Sequence, residues 1–206
     1  MIEIRDLCFM DVLKNINLSF DYGKVYLITG DNGSGKTVLF KNILGILNKT
    51  SGKIIIDGID NTAYKGQMGA LIEDPDFMLF NSGLDNLKFL SSIRGKFNKK
   101  YVLHLLEKFN LYTDRNKIVR KYSLGMKKKL GIIQAIMEDQ QIILLDEPTN
   151  GLDECSINAF YEVVLELKRM NKLVIIASHT DTMTNELVDN IITIDKGKIL
   201  SNVSVS

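Results

Sequence analysis

Hydrophobic and polar residues alternate with a period of two along much of the first quarter of the chain. The alternation is clear at positions 2–4 and 16–20 and predicts half-buried β-strands there. A short apolar run at 25–28 and a β-rich run at 53–57 predict two further strands. Between them, the apolar residues at 37–47 recur at helical spacing. This part of the chain therefore predicts strands with one intervening helix.

Helical spacing dominates the middle of the chain. From about 85 to 140 the apolar residues recur every three or four positions, and no strand pattern is visible. Apolar, β-rich runs return at 142–145 and 173–177, with a helical pattern at 161–170 between them. The segment 191–203 contains a central Asp-Lys-Gly turn and predicts a hairpin. Buried strands separated by a helix indicate a parallel sheet covered by helices, so the predicted fold class is α/β.

The predicted organisation is a single domain over residues 1–206. We expect residues 1–72 and 140–206 to form one α/β core, and residues from about 73 to 139 to form a helical insertion within it. A chain of 206 residues is long enough to bury a core of its own. No internal repeat or low-complexity linker divides it.

Composition and charge narrow the class of protein. The 26 basic and 25 acidic residues give a net charge of +1, unlike the basic footprint of nucleic-acid-binding proteins, so we expect no nucleic acid as a partner. The N-terminus does not resemble a signal peptide, and the apolar runs are too short to cross a bilayer. Cys8 and Cys155 lack metal-ligand spacing and fit reduced thiols. We therefore expect a cytoplasmic chain that contacts a membrane through another protein.

A phosphate-binding loop is predicted after the strand at 25–28. Two glycines lie four residues apart and are followed by Lys-Thr, between a strand and a helix. The predicted nucleotide-contacting residues are Gly30, Asp31, Asn32, Gly33, Ser34, Gly35, Lys36, Thr37 and Val38. Glycines allow backbone N–H groups to surround phosphates, and the helix N-terminus adds a favourable dipole. We expect Lys36 to reach the β- and γ-phosphates and Thr37 to bind Mg²⁺.

Two carboxylates end the apolar strand at 142–145. In phosphate-loop enzymes an acidic residue at this position holds Mg²⁺ opposite the loop hydroxyl, a role that fits Asp146. Glu147 would then face the γ-phosphate and polarise the attacking water. Such a pair also caps helices without any chemistry, and by itself it does not separate the two interpretations. Together with the phosphate loop it favours catalysis.

Three motifs together resemble the nucleotide-binding subunits of ABC transporters. Residues 146–153, Asp-Glu-Pro-Thr-Asn-Gly-Leu-Asp, look like the family's second nucleotide motif and its D-loop. Residues 122–130 resemble the signature motif, and His179 looks like the switch histidine that follows the next strand. The motifs also occur in the family's order. The resemblance implies a P-loop NTPase of ABC type, with a mixed sheet, an antiparallel β subdomain and an inserted helical subdomain.

The resemblance further implies a dimer that encloses two ATP molecules with Mg²⁺. Each ATP would contact the phosphate loop of one subunit and the signature of the other, so Ser123 and Gly125 would act across the interface. Asp153 would contact the partner's site. Glu147, His179 and Lys36 would be the catalytic residues, with His179 sensing the γ-phosphate. A second copy or a sister ATPase subunit would complete the dimer.

The chain departs from the common family pattern at several positions. Leu124 and Met126 replace a glycine and a glutamine of the signature. Glu73 stands where the family usually has a glutamine near the metal, and we expect its carboxylate to reach Mg²⁺ directly or through water. Phe9 is the best aromatic candidate for stacking on adenine, with core packing as the alternative. We interpret the lysine run 127–129 as a solvated face of the signature helix.

With its signature and Glu73, the chain resembles a subset of ABC-2-type exporters that includes subunits expelling bacitracin and lantibiotics. The apolar run 77–80 lies where family members dock a membrane partner, and we hypothesise that it is partly exposed; the alternative is that all four residues are core. The resemblance thus implies an ATPase that powers export through a separate transmembrane permease, on the inner face of the cell membrane. The alternatives are a soluble ABC ATPase acting on ribosomes or DNA, and an importer subunit.

Overall fold

The computed structural model describes residues 1–66, 68–93, 97–179, 183 and 186–205. Thr180, which follows the predicted switch histidine, lies outside the described residues. Within this part of the chain the strands form two sheets, and α-helices cover the larger one. The α/β class predicted from the hydrophobic pattern is confirmed.

The smaller sheet is antiparallel and has the strand order β2-β1-β4-β5. Its strands are β1 (Ile2–Phe9), β2 (Leu13–Phe20), β4 (Ser51–Ile56) and β5 (Ile59–Asp60). In β2 the apolar residues Ile16, Leu18 and Phe20 are buried, while the polar residues between them are exposed. The period-two alternation therefore predicted these strands correctly, because one face of the sheet packs on the core.

The larger sheet is mixed and has the strand order β10-β9-β3-β8-β7-β6. Its strands are β3 (Val25–Thr29), β6 (Met68–Leu71), β7 (Ile142–Asp146), β8 (Leu173–Ser178), β9 (Asn190–Asp195) and β10 (Lys198–Ser204). All neighbours pair in parallel except β9 and β10, which form the predicted hairpin. The carboxyl ends of β3, β8 and β7 therefore meet at one edge, where ligands bind in open α/β sheets.

Five α-helices connect these strands in the described part of the chain. They are α1 (Lys36–Ile43), α2 (Gly83–Ser92), α3 (Lys99–Lys108), α4 (Leu124–Ile136) and α5 (Glu154–Arg169). Helices α2 to α4 lie in the segment that was predicted to be helical. Helix α1 ends four residues earlier than its apolar spacing suggested. Gly45 takes a φ of 70° just after Leu44, and a glycine in this conformation ends a helix.

Strand β6 was not predicted from the sequence, because its glycine and alanine give no β-signal. A Cβ built on Gly69 would lie 1.7 Å from the carbonyl oxygen of Ala135 in α4. Only a residue without a side chain permits this close approach of helix and strand. Packing of α4 thus fixes this strand, and local propensity does not.

Two apolar clusters cover opposite faces of the larger sheet. Along β7, Ile143 and Leu145 belong to a cluster with the helices α2 to α5, whereas Ile142 and Leu144 belong to a cluster with α1 and the antiparallel sheet. Successive side chains of a strand point to opposite faces, so both sets are buried. Burial on both faces explains why these strands are continuously apolar.

None of the helices in the described ranges combines the length and the apolar character needed to cross a bilayer.

The contact between β6 and α4 yields a prediction about stability. We expect Gly69→Ala to destabilise the fold by about 1–3 kcal/mol, since the new methyl group meets a backbone carbonyl that cannot move alone. Gly131→Ala is the matched control in the same interface. Its Cβ would lie 2.8 Å from side-chain atoms of Leu71 and Pro75, and alanine favours the helix. Thermal unfolding of both variants tests this; an equal or smaller loss for Gly69→Ala would contradict it.

Candidate nucleotide site

The predicted phosphate loop connects β3 to α1 at the carboxyl edge of the sheet. Gly30 and Gly33 have φ values of 151° and 81°, and a Cβ on Gly30 would lie 2.2 Å from the Ile194 carbonyl oxygen. Glycine is therefore required at Gly30. Helix α1 begins at Lys36 without a side-chain cap, so its first N–H groups are free to face an anion.

Lys36 and Ser34 are the buried polar side chains of the phosphate loop. The Lys36 ammonium group donates hydrogen bonds to the carbonyl oxygens of Gly30 and Asp31. The Ser34 hydroxyl is buried and has no hydrogen-bond partner among the described residues. Asp31, Asn32 and Gly33 form the exposed top of the loop. Lys36 is thus held over the loop, next to the backbone that would surround a phosphate.

A hydrogen bond joins the phosphate loop to the acidic strand. The Thr37 hydroxyl donates to Oδ2 of Asp146 over 2.6 Å, although the residues are 109 positions apart. Oδ1 of Asp146 is buried and has no hydrogen-bond partner within the described residues. Burial raises the pKa of this carboxyl, and the Thr37 hydrogen bond opposes that rise.

These oxygen donors fit Mg²⁺. The ion prefers carboxylate and hydroxyl oxygens and leaves several positions to water and phosphate. No cluster of three or more His, Cys, Asp or Glu side chains that suits a metal ion occurs in the described ranges. Thr37 and Asp146 therefore offer a partial set of ligands, and phosphate oxygens would complete it.

Glu147 and His179 are brought together at the same edge. Nδ1 of His179 lies 2.9 Å from Oε2 of Glu147, and both side chains are partly exposed. The backbone N–H of Glu147 donates to the Ala177 carbonyl, and Glu147 has a φ of 46°, which is uncommon for a residue with a side chain. Strained backbone of this kind clusters at functional sites. The pair has the geometry of a base held by a second polar group.

One cavity of about 550 Å³ adjoins the phosphate loop and the acidic strand end, while His179 does not line it. Lys36, Thr37 and Val38 line it on one side, and Asp146 and Glu147 line it on another. Further lining residues were not assigned to the site from the sequence: Val12, Asp74, Leu124, Lys128, Asn150 and Gly151. No local pattern marks Val12 and Asp74, whereas the other four lie within the motifs at 122–130 and 146–153, and folding brings them to this edge.

The structure corrects the expectation that Phe9 stacks on adenine. Its side chain is 9% exposed and belongs to the apolar cluster between the antiparallel sheet and α1. The inward alternation of β1 places it there, as the alternative of core packing anticipated. Val12, in the turn between β1 and β2, lines the cavity instead.

Glu73 lines the cavity, but its carboxylate is engaged elsewhere. It accepts a hydrogen bond from the Lys41 ammonium group on α1 over 2.7 Å, and its side chain is 63% exposed. Glu73 lies two residues after the end of β6 and has a φ of 59°. In this conformation Glu73 holds the loop after β6 against α1. Its proposed contact with Mg²⁺ stays a prediction.

The signature segment begins α4. Ser123 is the N-cap, and its hydroxyl accepts a hydrogen bond from the Met126 N–H over 3.2 Å. A Cβ on Gly125 would lie 2.8 Å from the Gly151 carbonyl oxygen, so glycine allows α4 to approach the D-loop. Leu124 is 62% exposed beside the cavity. Ser123 and Gly125 do not line their own chain's cavity.

Asp153 occupies the N-cap of α5. Its carboxylate accepts hydrogen bonds from the Ser156 N–H and hydroxyl, and the Lys129 ammonium group lies 3.1 Å away. These hydrogen bonds hold the pKa of the Asp153 carboxyl well below its usual range. The side chain is 62% exposed and does not line the cavity of its own chain. Its role toward a partner stays a prediction.

The structure also corrects the interpretation of the lysine run 127–129. Lys127 is half-buried, and Lys128 and Lys129 are almost fully buried, with 5% and 9% of their surface exposed. Lys129 pairs with Asp153, and Lys128 lies 3.7 Å from a carboxylate oxygen of Asp74. Helix α4 packs against β6 and β7, so two of its three lysines face inward. The run is not a solvated face.

The apolar run 77–80 lies on the surface between β6 and α2. Phe77 packs partly against the helical core, whereas Met78, Leu79 and Phe80 are 38%, 45% and 74% exposed. The hypothesis of partial exposure is confirmed, and the alternative that all four residues are core is wrong. Arg120 lies 5.7 Å from the Phe80 ring. These exposed residues form an apolar surface that we call the 77–80 patch.

Comparison with known proteins agrees with this geometry. The model of the ABC transporter family matches residues 13–150. The chain is 35% identical to the lantibiotic transport ATP-binding protein SrtF of Streptococcus pyogenes, over 92% of this chain and 82% of SrtF. It is 34% identical to the bacitracin transport ATP-binding protein BcrA of Enterococcus faecalis, over 95% of this chain but only 65% of BcrA.

A solved structure shares the whole fold. It is an ATP-binding cassette determined as a dimer in a post-hydrolysis state with ADP and Pi. Its TM-score is 0.89 at 21% identity, and the match covers 100% of this chain and 99% of that one. At this identity the likeness concerns the fold. The family match over two thirds of the chain, the relatives and the site together show that the chain belongs to the ABC transporter family and is one of its ATPase domains.

Proposed function

We propose that this chain binds ATP with Mg²⁺ and hydrolyses it as a dimer to power transport, in the direction of export, through a separate transmembrane permease. The observation that carries the proposal is the arrangement of Glu147 and His179 beside the Thr37–Asp146 hydrogen bond. A base and a partial set of metal ligands thus line one cavity at the end of a phosphate loop, and His179 contacts the base. Phosphoryl transfer to water requires these parts.

Each residue then has a specific part in hydrolysis. Glu147 accepts a proton from the attacking water, and the hydrogen bond from His179 orients its carboxylate. Lys36 exchanges its loop carbonyls for phosphate oxygens. Thr37 and Asp146 hold Mg²⁺, which neutralises phosphate charge when it is bound. The N–H groups at the start of α1 face the same phosphates.

A second subunit completes the site in this proposal. Ser123 and Gly125 lie at the start of α4, outside the cavity of their own chain, and Ser123 is exposed. A helix N-terminus attracts anions, so it would stabilise a γ-phosphate presented by a partner. Asp153 is exposed at the neighbouring α5 N-cap and would contact that partner. The partner is a second copy or a sister ATPase subunit.

The 77–80 patch and the names of two relatives support the permease and the direction of transport. The patch is apolar and exposed at the helical segment 73–139, which we propose to be a subdomain that contacts the permease. SrtF and BcrA are named as lantibiotic and bacitracin transport proteins. By this similarity the chain works at the inner face of the cell membrane, bound to the permease.

Replacing the proposed base tests the hydrolysis step. We expect Glu147→Gln to lower the hydrolysis rate by about 10²-fold or more, because the neutral amide cannot accept the proton. ATP binding should persist, since Glu147 is not a phosphate ligand. The variant should therefore accumulate as an ATP-bound dimer on a sizing column. Hydrolysis at the wild-type rate would contradict the assignment of Glu147.

Polar replacement of the 77–80 patch tests the permease contact. We expect Phe80→Ser and Leu79→Ser to reduce co-purification with a multi-spanning membrane protein from gently solubilised host membranes, because the exposed apolar area is lost. ATPase activity of the isolated chain should not change. Met10→Ser is the control, because Met10 is 73% exposed in the β1–β2 turn. Undiminished recovery of the membrane protein with both patch variants would contradict the proposal.

A further inference from the structure

Lys128 has a buried side chain whose ammonium group makes few direct contacts with charged groups of the protein. Its side chain is 6% exposed, yet in the described part of the chain its ammonium group has no hydrogen bond. Its only ion pair there is the 3.7 Å approach to Asp74, whose side chain is 76% exposed and therefore well screened by solvent. An ammonium group on a largely enclosed side chain, without a hydrogen bond from the protein, is costly unless the adjoining cavity supplies a partner, so it calls for a functional explanation.

The position of Lys128 supplies that explanation. It lines the cavity together with Asp146 and Glu147, which form the end where attack on the nucleotide is proposed. The ammonium charge also acts on Asp146, which places the two groups within electrostatic range. Lys36 approaches the cavity from the phosphate loop, whereas Lys128 approaches from α4. Two ammonium groups thus face one cavity from different elements.

The carboxylates around this end favour a second ammonium group near a bound phosphate, in addition to Mg²⁺. Glu73, Asp74, Asp146 and Glu147 all line the cavity, and each repels a phosphate oxygen. Lys41 balances Glu73 through their hydrogen bond outside the phosphate loop. Lys128 is the remaining ammonium group besides Lys36 among the described lining residues.

We infer that Lys128 binds phosphate in the site of its own chain. Its ammonium group leaves Asp74 and contacts the terminal phosphate of a bound nucleoside triphosphate. The inference rests on the proposed function, because it assigns a ligand within that site. A terminal phosphate gives the ammonium group the charged hydrogen bonds that the protein does not provide. A nucleoside diphosphate lacks the third phosphate, so Lys128 discriminates between ATP and ADP.

The test measures ATP and ADP affinities by calorimetry with Mg²⁺, in the Glu147→Gln background that prevents turnover. Lys128→Met keeps the buried stem and removes the charge. We expect it to weaken ATP binding by about tenfold or more and to leave ADP binding nearly unchanged. Lys127→Gln is the matched control, because Lys127 lies in the same run but outside the cavity; both affinities should equal those of the parent.

Stability and a second variant separate this role from a structural one. The Lys128–Asp74 ion pair is long and Asp74 is exposed, so the pair contributes little and Lys128→Met should unfold at nearly the same temperature as the parent. Asp74→Asn should leave the ratio of ATP to ADP affinity unchanged or raise it, because it frees the ammonium group. A loss of ATP preference in Asp74→Asn equal to that in Lys128→Met would overturn the inference, since Lys128 would then act by holding the loop.

The remaining outcomes distinguish the inference from the proposed function. If the parent binds ATP and Lys128→Met changes neither affinity, or both equally, the inference is overturned and the proposed function stands. If the parent does not bind ATP, both are overturned. A lower unfolding temperature together with unchanged affinities would make Lys128 a structural residue and would likewise overturn the inference.

Discussion

The parallel pairing of β3, β8 and β7 determines where the proposed catalytic groups lie. Thr29 pairs with Ser178, and Asp146 pairs with Ala177, so the three strands end at nearly the same level. The phosphate loop, His179 and Glu147 follow these ends directly. Segments far apart in sequence are therefore adjacent without any long connecting loop, as the topology of open α/β sheets requires. The Thr37–Asp146 hydrogen bond is a consequence of this alignment.

This edge of the sheet contains polar groups that the fold leaves without hydrogen bonds. Ser34 and Asp146 each have a buried oxygen without a described hydrogen-bond partner, and Glu147 has a positive φ. Unsatisfied polar groups and strained backbone both reduce stability. The two apolar clusters on either side of the sheet provide the stability that offsets these costs. Unsatisfied polar groups of this kind are expected where binding, and not folding, selects the residues.

The sequence predicted those features that depend on local chemistry. The glycine spacing before Lys36 marked the phosphate loop, and continuous apolar runs marked the strands buried on both faces. The features that it did not predict depend on contacts between distant segments. Gly69 lies in a strand because α4 packs on it, and Phe9 is core because β1 alternates inward.

The burial of two lysines in α4 could not be predicted from the sequence for the same reason. A run of three lysines is usually solvated, and the composition of the helix gives no reason to expect otherwise. Here α4 lies against β6 and β7, so that Lys128 is buried beside the site and Lys129 is buried against Asp153. Burial of a charge is decided by tertiary packing and by the partners that it finds, neither of which is encoded in the local pattern.

The central claim is that each nucleotide site is shared between two subunits, and complementation tests it most directly. Lys36→Ala disables the phosphate loop and Ser123→Arg blocks the signature, so each variant alone should be inactive. Mixed dimers retain one site built from the two unaltered segments, and an equal mixture should recover about a quarter of wild-type ATP hydrolysis. A mixture that stays inactive while the wild-type chain hydrolyses ATP would contradict a shared site.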